Sequence, residues 1–576
     1  MKVFLRSILI ITYLCCLMSM ANAEQADPQM NPELQQLADD FFSWRAVQQP
    51  ATLDDIPRVE RPTGWLPDYS TSALASQRAR YADFLTELER LDKTGWSITD
   101  QVDARLLRAA IHRIRWELVV LRHPHRNPLF YVDQTLGSVF ELLILSTPID
   151  RQRAGEYLLR LEYFPITIAV AKKNLTEGVQ PFADATIATL DGVEQKLEQM
   201  HAALARQFPA DLKQRLDHAI HSASAAMLDY RGWLQQHRAG MSKEFSLGAH
   251  AYQYFLSQVA LIPHTPDELL HMGRQAWNRS VTFDVLEKNR NAGLPELEIF
   301  PDAEAQIAAE QKMEQEIRDF LEQHNLMTVP DWLGHYHNRL RPDHLIPLAF
   351  MGVNDDLTSE TRLNEDAISY IPPPAENLSY FALSSAKDPR PIIIHEGVPG
   401  HYFQMALSWA NPNPVRRRYI DSGANEGIGF YVEEMMLQAG LFDESPRSRE
   451  IIYSFMRLRA LRVEVDIRLA TGDFDIEQAG AYLARTVPMD EATAREEAVF
   501  FAFNPGQAIT YQIGALQIQQ FLTDARLDKG DDFSLRRFHD YLMQNGNVPI
   551  ALLRWEYLGQ DDEIKRLDSL RRQSGG

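Results

Sequence analysis

Apolar residues recur at intervals of three and four along most of the chain after residue 30, which is the spacing of an amphipathic α-helix. The pattern is clearest over 81–91, 104–121, 152–173 and 184–208. Alternation of apolar and polar residues, which is typical of a strand, is best over 348–353 and 380–383. The sequence therefore predicts a predominantly α-helical, multi-helix protein with little β-structure.

A chain of 576 residues is long enough to form more than one domain. Clusters of Pro and Gly mark its loops, and Ile371-Pro372-Pro373-Pro374 is the most pronounced of them. We predict an N-terminal helical lobe over 24–345 and a C-terminal helical lobe over 346–576 that carries the chemistry.

The first 23 residues have the composition of a secretory signal peptide. Lys2 and Arg6 precede a mostly apolar run at 8–20, and 21–23 reads Ala-Asn-Ala, a cleavage site of the A-x-A type. The run is shorter than the about 20 residues that span a bilayer. We predict export, to the periplasm of a Gram-negative bacterium and otherwise out of the cell, with no stable membrane insertion after cleavage.

The positions of the cysteines and the net charge exclude some kinds of metal ligand and partner. Cys15 and Cys16 both lie in the signal peptide, so the mature chain has no disulfide and no thiolate ligand. Any metal must be held by His, Asp or Glu. A net charge of −21 argues against a nucleic-acid partner, which needs a basic surface. The oligomeric state is left open.

The segment 391–401, Pro-Ile-Ile-Ile-His-Glu-Gly-Val-Pro-Gly-His, places His395, Glu396 and His401 together. In the common zinc metalloprotease motif the two histidines are four residues apart on one helix face. Here they are six apart, which is about 600° of helical rotation, so a regular helix would separate them. Pro399 and Gly400 are suited to a bulge or a break. Two alternatives stay open: a zinc site beside a helix break, or a buried histidine followed by a turn.

A catalytic zinc typically has three protein ligands and one position for water. Glu426, on a helix further along the chain, is the candidate third ligand. Glu433 lies seven residues later on the same face, where it could orient one of the histidines. Glu396, next to the first histidine, could take a proton from the attacking water.

Three ordered segments carry a family resemblance. After Tyr370-Ile371-Pro372 come 395–404, then 425–433 (Asn-Glu-Gly-Ile-Gly-Phe-Tyr-Val-Glu), then 504–514 (Asn-Pro-Gly-Gln-Ala-Ile-Thr-Tyr-Gln-Ile-Gly). They resemble the motifs H-E-x-x-P-G-H-H, E-G-W-A-x-Y-x-E and P-G-Q-A-x-x-Y-x-x-G of the bacterial domain-of-unknown-function 885 family. The resemblance extends over nearly the whole mature chain.

That family looks like a remote branch of the zinc metallopeptidases whose third ligand is a glutamate, in which long helices enclose a deep cleft. The resemblance thus implies a two-lobed, metallopeptidase-like architecture and one zinc ion. Arg462 could pair with a substrate carboxylate, or be an ordinary salt-bridged helix residue. The implied roles are zinc ligation by His395, His401 and Glu426, proton transfer by Glu396, hydrogen-bond donation to the oxyanion by Tyr511, and a position lining the cleft for Gln507.

The sequence departs from the family pattern at three positions. Tyr402 replaces the second histidine of the final pair, Ile428 replaces the tryptophan of the glutamate motif, and Ala470 replaces a histidine of a D-x-x-x-H segment that begins at Asp466. The proposed ligands and the base are retained, while the loss of an auxiliary histidine could change the rate or the choice of substrate.

Together these features favour a zinc-dependent hydrolase that acts on short peptides, because a helical shell around a recessed site would exclude folded proteins. Two alternatives remain. One is an inactive helical binding or assembly protein that has kept the fold. The other is a zinc amidase or esterase that acts on a non-peptide or cell-wall peptide bond.

Overall fold

The computed structural model describes residues 30–52, 59–487 and 489–573. Helices dominate it, which confirms the predominantly α-helical prediction. The predicted signal peptide, 1–23, lies outside the described residues. The α-helices are Pro32–Gln48, Thr71–Arg90, Ile98–Arg115, His123–Arg126, Leu129–Val132, Ser138–Leu143, Arg151–Asn174, Gln180–Thr189, Val193–Leu204, Lys213–His237, Ala249–Tyr254, Pro266–Arg290, Ala303–Gln323, Tyr380–Lys387, Arg390–Ile392, His401–Trp409, Pro414–Arg418, Ser422–Ala439, Pro446–Thr471, Ile476–Thr486, Glu491–Phe503, Thr510–Lys529, Leu535–Gln544, Ile550–Leu558 and Asp562–Gln573.

Four π-helical segments interrupt or extend these helices in the described residues, and four short 3-10 helices connect others. π-Helical turns are rare and are often found at functional sites. The π-helical segments are Trp116–Leu121, Asp133–Gly137, Phe255–Val259 and Ile393–Gly397, and the 3-10 helices are Ala210–Leu212, Arg238–Gly240, Ile346–Met351 and Gly530–Asp532.

The single sheet in the described residues is small and has the strand order β1-β3-β2. Its strands are β1 (Tyr336–Leu340), β2 (Asp355–Asp356) and β3 (Ala367–Ile371); β3 is parallel to β1, with Tyr336 opposite Ala367, and antiparallel to β2. Both strand predictions were therefore wrong: 348–353 lies largely in a 3-10 helix and 380–383 begins an α-helix. Four to six residues are too few for periodicity alone to separate a strand from a helical turn.

The outer edge of β1 is covered by carboxylates of the helix Ala303–Gln323. The Tyr336 N–H donates to Glu314 at 3.3 Å, and the Asn338 N–H donates to Glu310 at 3.0 Å. Both glutamates are fully buried. They occupy the donors that an edge strand otherwise leaves unpaired.

Three long helices form the frame of the site and are named here by the side chains they contribute. The glutamate helix (Ser422–Ala439) is capped at its N-terminus by Asp421, whose side chain accepts a hydrogen bond from the Gly423 N–H. The arginine helix is Pro446–Thr471 and the tyrosine helix is Thr510–Lys529. A Cβ atom on Gly427 would lie 2.6 Å from the Cα of Gly514, so glycines at both positions let the glutamate and tyrosine helices approach closely.

The largest buried apolar cluster contains residues from both sides of position 345, including Phe41, Phe164, Phe403 and Phe521. The division into lobes at that position stays a prediction. Across the described ranges, no helix combines the length and the hydropathy needed to cross a membrane.

Candidate metal centre

The helix is interrupted between the two histidines of the motif. His395 lies in the π-helical segment Ile393–Gly397, residues 398–400 are not helical, and a new α-helix begins at His401. A Cβ atom on Gly400 would lie 1.8 Å from the carbonyl oxygen of His395, so the break requires glycine there. The break removes the rotation that would separate the two histidines on a regular helix.

The two imidazoles meet at one point, opposite Glu426. Their ring centres are 4.7 Å apart with an interplanar angle of 77°. The Oε2 atom of Glu426 lies 3.4 Å from Nε2 of His395 and 3.3 Å from Nε2 of His401. All three side chains are buried, and Glu426 Oε2 makes no hydrogen bond with any described residue.

This arrangement fits a zinc ion. Tetrahedral ligands about 2.0–2.2 Å from zinc lie roughly 3.3–3.6 Å from one another. Both of the distances that join Glu426 to the histidines agree with this separation. His395, His401 and Glu426 would hold the ion, and because both histidines must be neutral to do so, binding would release any proton they carry.

The charges of the three groups are strongly coupled. Burial raises the pKa of a carboxyl group, but His401 and His395 overcome this effect and hold the pKa of Glu426 well below its ordinary value. Burial would lower the pKa of His395, whereas Glu426 and Glu433 raise it. The point between the three side chains therefore suits a cation.

Glu396 lies beside this point and differs from Glu426 in its surroundings. Ligand-type atoms of His395, Glu396 and His401 all lie within 4.8 Å of one another. The Glu396 side chain is half-buried, whereas Glu426 is fully buried. Burial raises the pKa of Glu396 to about 8, against the opposing effect of His401. A partly exposed carboxyl group of this kind suits proton transfer, and the enclosed Glu426 suits ligation.

Glu433 and Arg459 fix the orientation of His395. Nδ1 of His395 lies 2.6 Å from Oε1 of Glu433, which leaves Nε2 directed at Glu426. The same Glu433 oxygen accepts a hydrogen bond from Arg459 at 2.7 Å, and Arg459 is buried. The motif spacing predicts a role for Glu433, whereas the only local signal for Arg459 is an arginine among apolar residues of a long helix.

Replacing Glu433 by Gln is expected to weaken zinc binding by about 10–100-fold, because an uncharged partner makes His395 a poorer ligand. The same change leaves the buried Arg459 charge without its counterion and should lower the Tm. In the double variant Glu433→Gln/Arg459→Met, the Tm should partly recover while the zinc affinity does not. Competition titration with a chromophoric chelator and thermal unfolding measure the two effects. A zinc affinity within twofold of wild type in Glu433→Gln would contradict the assignment.

Gly429 lies on the glutamate helix where any side chain would overlap with the two imidazoles. A Cβ atom there would lie 2.8 Å from Cε1 of His395 and 2.9 Å from Cε1 of His401. Sequence analysis did not single out this residue, although it lies three positions after Glu426 on the same helix.

Tyr511 and Arg462 lie next to the histidines. The Tyr511 ring is parallel to that of His395, with the centres 6.0 Å apart, and the Arg462 guanidinium is 4.6 Å from the Tyr511 ring centre. Arg462 also makes two hydrogen bonds to Glu497, of 2.8 and 2.5 Å. Arg462 is thus salt-bridged to Glu497, and its pairing with a substrate carboxylate stays a prediction.

Asp466 anchors the loop that leads to Tyr511, and sequence analysis assigned it no role. Its carboxylate is fully buried and accepts hydrogen bonds from the Gly506 and Ala508 N–H groups, both at 2.8 Å. Gln507 lies between these two donors, so Asp466 sets the position of Gln507 as well.

The three departures from the family pattern lie in packed surroundings. Tyr402 is buried, and the charged groups that influence its pKa are Arg318, Asp366 and Glu314, none of which belongs to the histidine cluster. Ile428 is fully buried in the apolar core. Ala470 is buried too, and its carbonyl accepts from the Leu247 and Gly248 N–H groups.

A cavity of about 400 Å³ lies next to this region. Its walls come from the first helices of the chain and from the segments around Tyr419 and Phe503. The cavity is not lined by the candidate metal-centre residues His395, Glu396, His401 and Glu426. Gln507 and Ser422 do line it, and each lies four residues before a site residue, Tyr511 and Glu426 respectively.

Comparison with solved structures identifies the fold. A crystal structure described as a "putative lipoprotein" from Colwellia psychrerythraea aligns with a TM-score of 0.70 and 18% identity, over 94% of this chain and 100% of that chain. A "putative lipoprotein of unknown function" from Shewanella oneidensis aligns with a TM-score of 0.69 and 17% identity, over 91% and 99%. At these identities the likeness concerns the fold alone. No curated protein matches the chain.

The sequence profile of one protein family matches most of the chain. The matched residues are 57–335 and 364–556, and they include the histidine pair, Glu426, Glu433, Arg459 and Tyr511. The family is described as "Bacterial protein of unknown function (DUF885)". The chain therefore belongs to the DUF885 family.

Proposed function

We propose that the protein is a zinc-dependent peptidase that hydrolyses short peptides, with His395, His401 and Glu426 as the zinc ligands. The observation that carries this proposal is the pair of 3.4 and 3.3 Å separations between Glu426 Oε2 and the two histidine Nε2 atoms, in a buried position where that oxygen has no hydrogen bond with any described residue. The order of the motifs along the chain supports the further likeness to zinc peptidases with a glutamate ligand.

Glu396 is the proposed general base. The chemistry that zinc supplies when bound is polarisation of the scissile carbonyl and a lower pKa for water at the site. Glu396 accepts the proton that water loses as its oxygen bonds to the carbonyl carbon. It returns this proton to the nitrogen as the C–N bond breaks, which frees the amine product. A carboxylate placed beside the attacking water can take the proton in the first step and return it in the second.

Tyr511 is the proposed donor to the carbonyl oxygen as negative charge develops on it. Its ring is held between the parallel His395 imidazole and the Arg462 guanidinium. A phenol can donate a hydrogen bond without bringing a charge, and one such donor is typically worth about 2.7–4 kcal/mol of transition-state stabilisation.

The experiment combines metal analysis with a peptide digest. Purified full-length protein is expected to contain about one zinc per chain, and His401→Ala, with its fold checked by circular dichroism, should contain almost none. Zinc-loaded protein incubated with a broad oligopeptide library should yield cleavage products detectable by mass spectrometry, and His401→Ala should yield none. Zinc without any cleavage would favour an inactive binding protein. Turnover of esters or cell-wall amides alone would favour the hydrolase alternative.

We further infer that the protein acts outside the cytoplasm. The composition of residues 1–23 and the lipoprotein descriptions of the two structural neighbours support export. N-terminal sequencing of the protein recovered from cell fractions tests this inference, and an intact Met1 in the cytoplasmic fraction would contradict it.

A further inference from the structure

Aromatic side chains and π-helical segments shape the cavity of about 400 Å³ beside the metal centre. Of the four π-helical segments in the described residues, three contribute to its lining, through Trp116, Asp133 and Phe255. The fourth carries His395 and Glu396. Segments of this kind are uncommon and concentrate at functional sites, and a cavity of this volume with aromatic walls is typical of ligand pockets.

Most charged side chains that line the cavity already have partners. Arg45 lies 2.6 Å from Glu117, and Arg113 lies 3.6 Å from Asp421. Further ion pairs join Arg417 and Arg418 to Glu360, at 3.2 and 3.5 Å, and Glu60 accepts two hydrogen bonds from Thr361. Each of these arginines thus lies close to a carboxylate, whereas Glu60 has a hydrogen-bond partner but no cation beside it among the described residues.

Asp133 is the exception. Its Oδ1 atom is enclosed and has no hydrogen-bond partner among the described residues, and it forms no ion pair with them. Burial raises the pKa of Asp133 well above its ordinary value. His123, which also lines the cavity, brings no compensating charge, because burial lowers its pKa to about 4. The Asp133 side chain is half-buried and lines the cavity, so burial favours its neutral form until a cationic group in the cavity pairs with it.

We propose that this cavity binds the protonated amino terminus of a short peptide, with Asp133 as the partner of the ammonium group and the aromatic walls around the first apolar side chain. This inference rests on the proposed peptidase function and specifies its substrates. The lining reaches Gln507 and Ser422, which lie four residues before Tyr511 and Glu426 in the sequence. A peptide anchored at Asp133 would therefore be cleaved close to its amino end.

The experiment uses the full-length Glu396→Gln protein, so that binding is measured without turnover. Isothermal titration calorimetry compares the tripeptide Phe-Ala-Ala with its N-acetyl and C-amide forms. Acetylation should weaken binding at least tenfold, because it removes the ammonium charge, whereas C-amidation should change the Kd less than twofold. Adding Asp133→Asn should reduce the affinity for free Phe-Ala-Ala to that of the acetylated form. Glu60→Gln, which alters another carboxylate of the same cavity, should have no such effect.

Several results would overturn the inference. These are a discrimination of free from acetylated peptide that survives Asp133→Asn, a dependence on the carboxylate end instead of the amino end, and no measurable binding. A discrimination that appears only when zinc is present would place the amine at the metal and would overturn it too. The proposed hydrolysis is judged separately on the wild-type protein. Cleavage without a preference for free amino termini would reject the role of Asp133 and leave the peptidase proposal standing. Selective binding without cleavage would reject the peptidase proposal and leave the role of Asp133 standing.

Discussion

Replacing Glu396 by Gln is expected to slow peptide hydrolysis by about 10²–10⁴-fold while zinc stays bound. Gln has nearly the same size as Glu but cannot accept the proton that the attacking water must lose. The zinc content should not change, because the proposed ligands are His395, His401 and Glu426. Single-turnover rates with a peptide identified in the library digest, together with zinc content per chain, measure the two quantities.

The matched control for this change is Glu310→Gln. Glu310 is also a glutamate whose pKa burial raises to about 8, but it accepts a hydrogen bond from β1 and does not belong to the metal centre. It should keep near wild-type activity. More than a tenth of the wild-type rate in Glu396→Gln would show that Glu396 is not the base. Loss of zinc together with activity would instead make Glu396 a ligand.

The second large effect is expected for Gly429→Ala, which changes no ligand. The added methyl group would lie within 3 Å of both imidazoles, and they cannot move apart freely because Glu433 holds His395. Zinc affinity should fall by about 10–100-fold or more, the loss that disturbed ligand orientation typically causes. The helix itself should not suffer, since Ala is about 1 kcal/mol more favourable than Gly inside a helix.

Gly232→Ala is the control, because Gly232 is also helical and has nothing within 4 Å of the position of an added Cβ atom. Gly232→Ala should keep the wild-type Tm or exceed it, whereas Gly429→Ala should lose zinc and should also have a lower Tm, because the added methyl group crowds two buried imidazoles. Equal zinc affinities in the two variants would mean that the imidazoles do not need the space that Gly429 leaves.

The helical character and the positions of the site residues followed from local sequence to different degrees. Periodicity located the helix Arg151–Asn174 almost exactly where 152–173 predicts it, because a long amphipathic pattern has one simple solution. The stretch 184–208 is instead divided into two helices at Gly192, which has a φ of 65°. A glycine within a helical pattern allows such a turn but does not require it.

For the candidate metal centre too, local sequence predicts only part of the arrangement. The motifs identify His395, His401 and Glu426 as the candidate ligands. The pair Pro399-Gly400 predicts that the helix is interrupted between the two histidines. Arg459 and Asp133 could not be found in this way, because their roles depend on contacts between segments far apart in the chain. The cavity is lined by both Phe41 and Phe500, and neither residue carries a local signal that the two segments meet there.

The covered edge of β1 limits how a peptide can be recognised here. Many peptide-binding proteins add the ligand to a sheet as an extra strand, and the main-chain hydrogen bonds then hold any sequence of sufficient length. With Glu310 and Glu314 bonded to the outward N–H groups of Asn338 and Tyr336, this edge cannot accept such a strand. If the proposed peptide substrate binds beside this edge, it would have to be held by its chain end and by individual side chains, which favours short peptides over long ones.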